Sequence, residues 1–498
     1  MLEEADLLFI QEDYVPAAII YERVLEANPA HQLSNLRLGI CKLNTRNEQR
    51  NALVYLERAR ELNTIEALYY IGVSLHFHER FDDAISAITA YRETKDEAIP
   101  APEVDKLESM ILRAKAAYAN PSRIKIRNMG ANINSKYPDY VPLITGNGDW
   151  LYFTSRRQGG ISNTLDPNGE FFEDIYYSQR VDGEWLPATN IGEPVNSDSH
   201  DATVSISPSG NQMLVYRTNL TQDAGDIYTT DLSVSGWSAP VKYSSQINSK
   251  YFEPSATISE DENVIYFSSN RPGGYGGKDI YRVVKLPNGE WSEPLNLGPE
   301  INTPGHEDGP FISTDGSTLY FASTAHNSIG GYDIFKSTWN DKSGKWSKAQ
   351  NLGYPLNTVF DDIYLVTEST GNKGYYSTNR AGGFGGHDIY EVTLGQDNAV
   401  VVVRGNILDE TGIPLKADLV LDANLNGDWP GTFRSNARDG SFLLVLTPEK
   451  EYDLSIFCQG YETITLKIEY EESAESLIRE VNRNFVMEAQ KRSSNEMD

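Results

Sequence analysis

The chain has 498 residues, 39% of them apolar, with 71 acidic against 43 basic residues and a formal net charge of −28. That length predicts two to four domains, the apolar content excludes global disorder, and the negative balance excludes nucleic acid as a natural partner. Two distant cysteines, Cys41 and Cys458, exclude a disulfide framework, and neither a membrane-spanning apolar run nor a leader pattern is present.

Residues 1–121 read as helix, with Ala and Leu at three- and four-residue spacing. A repeat of about 34 residues is visible. Ala5, Leu8, Ala17, Tyr21, Val24 and Pro29 mark its first copy, and Gly39, Ala52, Leu56 and Ala59 the second. Leu68, Gly72, Leu75, Ala84, Ile88 and Tyr91 mark the third. The pattern resembles the tetratricopeptide (TPR) repeat, in which small residues let two helices approach and large ones fill between hairpins. "EVDKLESMILRAKAAY" at 103–118, bracketed by Pro100, Pro102 and Pro121, reads as a capping helix. Stacked hairpins of this kind form a groove for a partner's peptide or helix. His76 and His78, two apart on a helix, point to different sides and do not form a zinc pair.

From 122 to 397 short β-rich runs alternate with Gly, Asn, Asp and Pro turns. "DIY" or "DIF" recurs at 174, 226, 279, 333 and 388, at spacings of 52, 53, 54 and 55 residues. An aromatic strand precedes each copy, and Trp follows four of them (Trp185, Trp237, Trp291, Trp346). Five units of about four strands each predict a five-bladed β-propeller. The last unit lacks an outer strand, and residues 123–130 are expected to supply it, which removes an exposed sheet edge.

Residues 398–488 carry five alternating strands and predict a small antiparallel sandwich; 489–498 is a polar tail. "GNILDETGIPLKADLVL", "SNARDGSFLLVL" and "GYETITL" resemble the carboxypeptidase regulatory-like, or transthyretin-like, module. The expected fold class is therefore multidomain α and β: a TPR hairpin array, a five-bladed propeller and a transthyretin-like sandwich.

The glycine loop "RPGGYGGKDIY" at 271–281 raises the question of a phosphate cradle. Its glycines run into a strand, so no helix N-terminus meets an anion. Near copies at 326–335 and 380–390, with a longer cousin at 156–177, make it framework. The recurring Asp174, Asp226, Asp279, Asp333 and Asp388 are placed to accept backbone N–H groups of the turn. Arg271 and Arg380 either pair with Asp279 and Asp388 or face solvent, where they are candidate partner contacts.

Asp201, Glu253, Glu307 and Asp361 precede the first strands of the later units. Glycosidase chemistry needs two carboxylates converging asymmetrically. Near-equivalent repeat positions predict instead an acidic ring, so Glu253, Glu307 and Asp361 are partner-binding candidates and no catalytic residue is assigned. "DANLNGDW" opens like a calcium loop through Asp422, Asn424 and Asn426, but Phe433 stands where the motif needs Glu. No cofactor is expected.

The order of the three regions, with "INSKYFEPSATIS", "YFSSNRPGGYGGKDIY" and "EWSEPLNLGPEINT", resembles PorE-type proteins of the type IX secretion system and, more loosely, TolB-type propellers. The resemblance implies a non-enzymatic scaffold in the periplasm, associated with the outer membrane, that binds proteins of a cell-envelope secretion complex through its helical groove and propeller rim. That family usually carries a lipoprotein signal and an OmpA-like domain; neither is in this sequence, so peptidoglycan is expected only through a domain absent here. The alternative is a carbohydrate-active or ligand-binding propeller with acids at its funnel.

Overall fold

In the computed structural model, which describes residues 1–45, 48–166, 169–218, 225–394, 400–423, 431–446, 448, 450–471 and 478–490, seven helices come first. They are α1 (Leu2–Ile10), α2 (Tyr14–Ala27), α3 (Gln32–Asn44), α4 (Leu53–Glu61), α5 (Ala67–Phe77), α6 (Phe81–Thr94) and α7 (Ala101–Ala119). Small residues set the packing distance: a Cβ added to Gly72 on α5 would lie 2.7 Å from the Ile88 side chain on α6. α7 starts at Pro100 and Pro102, where the missing N–H groups cost nothing because a first turn has no intrahelical acceptors for them.

Five small antiparallel sheets follow. Sheet I holds Asp139–Ile144, Trp150–Ser155 and Asp174–Val181, with Glu184–Trp185 and Thr189–Asn190 on its outer side. Sheet II begins with Asp201–Ile206, sheet III with Ala256–Ile258, sheet IV with Glu307–Ile312 and sheet V with Asp362–Thr367. The outer strand of sheet V is Lys125–Asn128, which pairs antiparallel with Asp388–Thr393. The first strands of sheets I to V touch one another in order, and that of V touches that of I. Apolar clusters fill the spaces between successive sheets, for example Leu143, Ile175, Met213 and Val215 between I and II.

The expected fold class is corrected by these elements. The molecule is mostly β, about 36% strand in many small antiparallel sheets against 20% helix, and neither a TPR array nor a five-bladed propeller is evident. The helices run from 9 to 19 residues, and a 3₁₀ turn, Gln49–Ala52, interrupts the second hairpin. First strands of the sheets range from three residues in sheet III to six elsewhere, and those of I, II, IV and V carry register shifts. Repeat spacing reports an average period, whereas bulges and insertions are local decisions.

The C-terminal segment forms two four-stranded sheets, VI around Val400–Asp409 and VII around Asp418–Ala423 and Glu451–Phe457. The wholly antiparallel sandwich is also corrected: Val400–Asp409 pairs parallel with Ile478–Asn482 and Phe485–Met487. The chain between Asp409 and Ile478 is long enough for the return that parallel pairing requires.

Both flanking regions are packed on the five sheets. Ile329, Val359 and Phe360 belong to the same apolar cluster as the helices. Buried His76 donates from Nε2 to the Ile329 carbonyl at 2.9 Å, and Tyr118 of α7 stacks on Tyr354 at 4.1 Å. Burial pushes the His76 imidazole down to about 4, so it sits there neutral. On the opposite face, the Asn211 side chain donates to the Ser435 carbonyl (2.8 Å) and accepts from the Ala437 N–H (2.7 Å). Arg434 pairs with Glu262, and Arg438 lies 4.3 Å over the Trp150 ring.

Candidate functional site

A carboxylate opens the first strand of sheets I, II, IV and V, and Glu253 stands three residues before that of sheet III: Asp139, Asp201, Glu253, Glu307 and Asp362 are each at most 4% exposed. Each accepts from the N–H of a Ser or Thr four residues back: Ser135 (2.5 Å), Ser197 (2.6 Å), Ser249 (3.1 Å), Thr303 (2.8 Å) and Thr358 (2.6 Å). The hydroxyls of the same five residues donate to the same carboxylates.

Four of the five carboxylates also hold a cation: Arg157 on Asp139 (2.6 Å), Arg217 on Asp201 (2.5 Å), Arg271 on Glu253 (3.2 Å) and Arg380 on Asp362 (2.9 Å). Those guanidinium groups donate in addition to the carbonyls of Ile133, Val195, Ile247 and Leu356. Arg271 lies over Phe267 and Tyr281, and Arg380 over Tyr376 and Tyr390. In sheet IV the carbonyl partner is His326, whose Nε2 donates to Ile301 O at 2.9 Å. Glu307 there is held by the Thr303 and Ser323 hydroxyls, and burial pushes it up to about 7 against those hydrogen bonds.

These contacts correct three expectations. Arg271 and Arg380 pair with neither Asp279 nor Asp388; each reaches back to the turn that opens its own sheet. Their side chains are only 14% and 12% exposed, so they are not offered to a partner. Glu253 and Glu307 do not ring an open mouth, since their oxygens are engaged by their own turns. The sheet V counterpart of Glu307 is Asp362, not Asp361, whose Oδ1 accepts from Tyr332 N at 3.0 Å. The 55-residue step from Asp333 to Asp388 carried that register.

The recurring aspartates form a second ring of latches. Asp174, Asp279, Asp333 and Asp388 accept from the N–H groups of Ile161 (2.6 Å), Tyr275 (2.6 Å), Ile329 (2.9 Å) and Phe384 (2.6 Å). Each also accepts from an Asn amide: Asn190 (2.8 Å), Asn296 (2.7 Å), Asn351 (2.7 Å) and Asn128 (2.8 Å). Asp226 accepts from Lys242 at 2.7 Å, and the loop before it, 219–224, lies outside the described residues. The loop glycines are required by this geometry. Gly273 has φ +92°, and a Cβ on Gly274 would lie 2.5 Å from Asp279 Oδ2.

Sequence reading missed the residues that join one sheet to the next. Asn134, Asn196, Asn248, Asn302 and Asn357 each accept from the N–H and donate to the C=O of an Ile in the preceding sheet's third strand. The signal was present: apolar–Asn–Ser/Thr followed by an acid five residues after the Asn recurs at 134–139, 196–201, 248–253, 302–307 and 357–362.

Two features do not repeat. Beside sheet I, Arg156 is shared by Asp166 (2.9 Å), Glu170 (2.8 Å) and Glu173 (3.2 Å), and His200 Nδ1 lies 3.3 Å from Glu173. Burial opposes ionisation of Glu173, but His200 and Arg156 outweigh it and lower it to about 2. Tyr140, bonded to the same carboxylate, is pushed up by burial and by Glu173. The second is a cavity between the first strands of the five sheets, lined by residues such as Val141, Ile144, Val204, Phe311 and Tyr364. Its volume is about 50 Å³, room for a few waters. Glu260 stands at its end toward sheets VI and VII. The residue is half-buried but its Oε2 is shut from solvent, and burial raises it to about 8.

Asn424 and Asn426 of the calcium candidate lie outside the described residues; Asp422 lies in sheet VII opposite Asp453. Among the described residues no group of three or more His, Cys, Asp or Glu is arranged to hold a metal, and no helix is long and apolar enough to cross a membrane. Cys41 and Cys458 are free thiols.

No family model and no curated protein matches the chain. Among solved structures, an α-L-arabinofuranosidase from Lactobacillus brevis is 12% identical, with 52% of this chain and 92% of that chain covered and a TM-score of 0.33. Hydrazine synthase from Kuenenia stuttgartiensis is 10% identical, with coverage of 69% and 62% and a TM-score of 0.31. Hydroxyquinol 1,2-dioxygenase from Pseudomonas putida DLL-E4 is 15% identical over 19% of this chain, with a TM-score of 0.15. The chain spans 56–62% of the length of the dioxygenases it matches. At these scores the likenesses carry no functional argument.

Proposed function

We propose that the protein is a non-catalytic scaffold that binds other proteins, with partners in a cell-envelope secretion complex on the periplasmic side of the outer membrane. The observation that carries the first part is the engagement of the recurring ionisable groups. Arg271, Arg380, Glu253 and Glu307 sit in the same latches at successive sheets, held by backbone groups and by one another. Chemistry needs a group left poised for substrate; these are tied into framework. The envelope placement and the identity of the partners rest on the sequence resemblance alone.

The carbohydrate reading has no observation in its favour, because Glu253 and Glu307 are engaged and the central cavity has room for only a few waters. The test is cross-linking of the tagged chain in the native envelope, followed by identification of attached proteins. Recovery of outer-membrane secretion components supports the proposal. Recovery of none of them, or glycan turnover that Glu253→Gln abolishes, overturns it.

A further inference from the structure

The residue four positions before Asp279, Asp333 and Asp388 is apolar: Tyr275, Ile329 and Phe384. Its N–H donates to the aspartate each time, so the three side chains leave equivalent backbone positions. Their surroundings differ. Ile329 is 4% exposed, whereas Tyr275 and Phe384 are each 50% exposed.

The helical region makes the difference. His76 of α5 donates to Ile329 O (2.9 Å), and Arg113 of α7 donates to Ser328 O (3.0 Å). The neighbouring turn adds Phe360, 5% exposed, under Phe77 at 5.6 Å. The next pair of sheets repeats this platform with Phe384 for Ile329 and Tyr137 for Phe360. Gly385 lies against the carbonyls of Ser135 and Tyr137 as Gly330 lies against the backbone of Thr358 and Val359. Exposed Lys136 stands where Val359 is buried.

The backbone form of the turn that presents Phe77 to Phe360 recurs at the α1–α2 and α4–α5 turns, and of these the α1–α2 turn joins the two helices of a hairpin as the α5–α6 turn does. The α5–α6 turn has Glu79 at φ +60°, with Glu79 N–H bonded to His76 O and Arg80 N–H to Leu75 O. The α1–α2 turn has Glu12 at φ +61°, with Glu12 N–H bonded to Phe9 O and Asp13 N–H to Leu8 O. Ile10 occupies the place of Phe77 and is 72% exposed, beside Leu7 at 56%. Glu12 and Asp13 are exposed acids at the tip of that turn, opposite in sign to Lys136.

We propose that the Phe384–Tyr137 platform receives the α1–α2 turn of a second copy of this chain. Ile10 packs on Phe384, and Glu12 or Asp13 meets Lys136. The two surfaces differ, so the contact is head-to-tail and grows into rings or chains. This goes beyond the scaffold reading and does not depend on the envelope partners.

Sedimentation velocity of the full chain over rising concentration tests it. The ionic strength is set near 0.15 M, where repulsion between like-charged copies is screened beyond about 8 Å. The expected result is concentration-dependent association that Phe384→Ser and Ile10→Ser each weaken about tenfold or more. Both positions are exposed, so the thermal midpoint of each variant stays that of the parent. Lys136→Glu weakens association, and adding Glu12→Lys to it restores association, which a purely structural role would not produce. A chain that stays monomeric throughout, or association that Phe384→Ser leaves intact, overturns the proposal.

Discussion

Sheets III and IV carry the same opening turn and stabilise it differently. In sheet III, Glu253 accepts from Ser249 and Ser269 and holds Arg271, which also ties down the Ile247 carbonyl. In sheet IV, Glu307 accepts from Thr303 and Ser323, and His326 ties down the Ile301 carbonyl without reaching the acid. One function of the arginine, satisfying a carbonyl, survives its replacement; the other, balancing a buried carboxylate, does not. The two jobs are separable, and the four arginine-bearing turns do both with one side chain.

The largest expected effect comes from breaking the arginine latch. Arg380→Ala leaves Asp362 buried without its cation and should destabilise the chain by about 3–5 kcal/mol, as loss of one partner of a buried pair does. Chemical denaturation followed by tryptophan fluorescence measures it; a loss under about 1 kcal/mol would show the pair to be solvent-screened in the manner of exposed ones.

Asn302→Ala removes the amide that accepts from the Ile280 N–H and donates to its C=O. Two buried backbone groups lose a partner, at a cost of about 1–3 kcal/mol each before relaxation. The same denaturation series reads this out, and the effect should be similar in Asn248→Ala if the clamp is independent of the arginine.

The contrast between the two sheets also has a pH signature. Glu307 is raised to about 7 from an ordinary 4.5 by burial. The folded chain therefore keeps a proton that the unfolded chain has released across that window. Its contribution to stability is fully present below the lower value and lost as pH rises through the upper one, at about 1.4 kcal/mol for each unit of displacement. Glu307→Gln keeps the side chain neutral, so its thermal midpoint should fall less than that of the parent between about pH 5 and about pH 8. Identical slopes would sink this assignment.

The smallest effect is expected at the seam with the C-terminal sheets. Arg438→Ala removes the cation over Trp150 and should cost about 0.5–1 kcal/mol, visible as a shift in tryptophan emission and a slightly lower thermal midpoint.

Much of the β region was legible in the chain itself. "DIY" and its aromatic partner strand located each antiparallel ladder, because period-2 burial and turn chemistry are local. The role read for Asp279 and Asp388 followed from the same locality, since the backbone N–H groups that donate to them lie within five residues. The partners of Arg271 and Arg380 were not legible. Glu253 and Asp362 lie 18 residues upstream of them, across two strands, and an acid at Asp279 or Asp388 was nearer in sequence. The asparagine clamps were missed for a related reason. Each acts on a strand 21 to 23 residues earlier, or 255 residues later where sheet I meets sheet V.

Sequence by itself determined where the strands, turns and recurring latches stand, because glycine tolerance, short polar caps and apolar alternation act over a few residues. Tertiary structure alone decided which cation met which acid, which copy of the glycine loop was covered and how equal the repeats were. The loops at Ile329 and Phe384 each place an apolar residue four positions before a latching aspartate; α5 and α7 dock on the first, where that residue is buried, and in the second it is half exposed. Burial is a property of what arrives from elsewhere in the chain, and no local pattern encodes it.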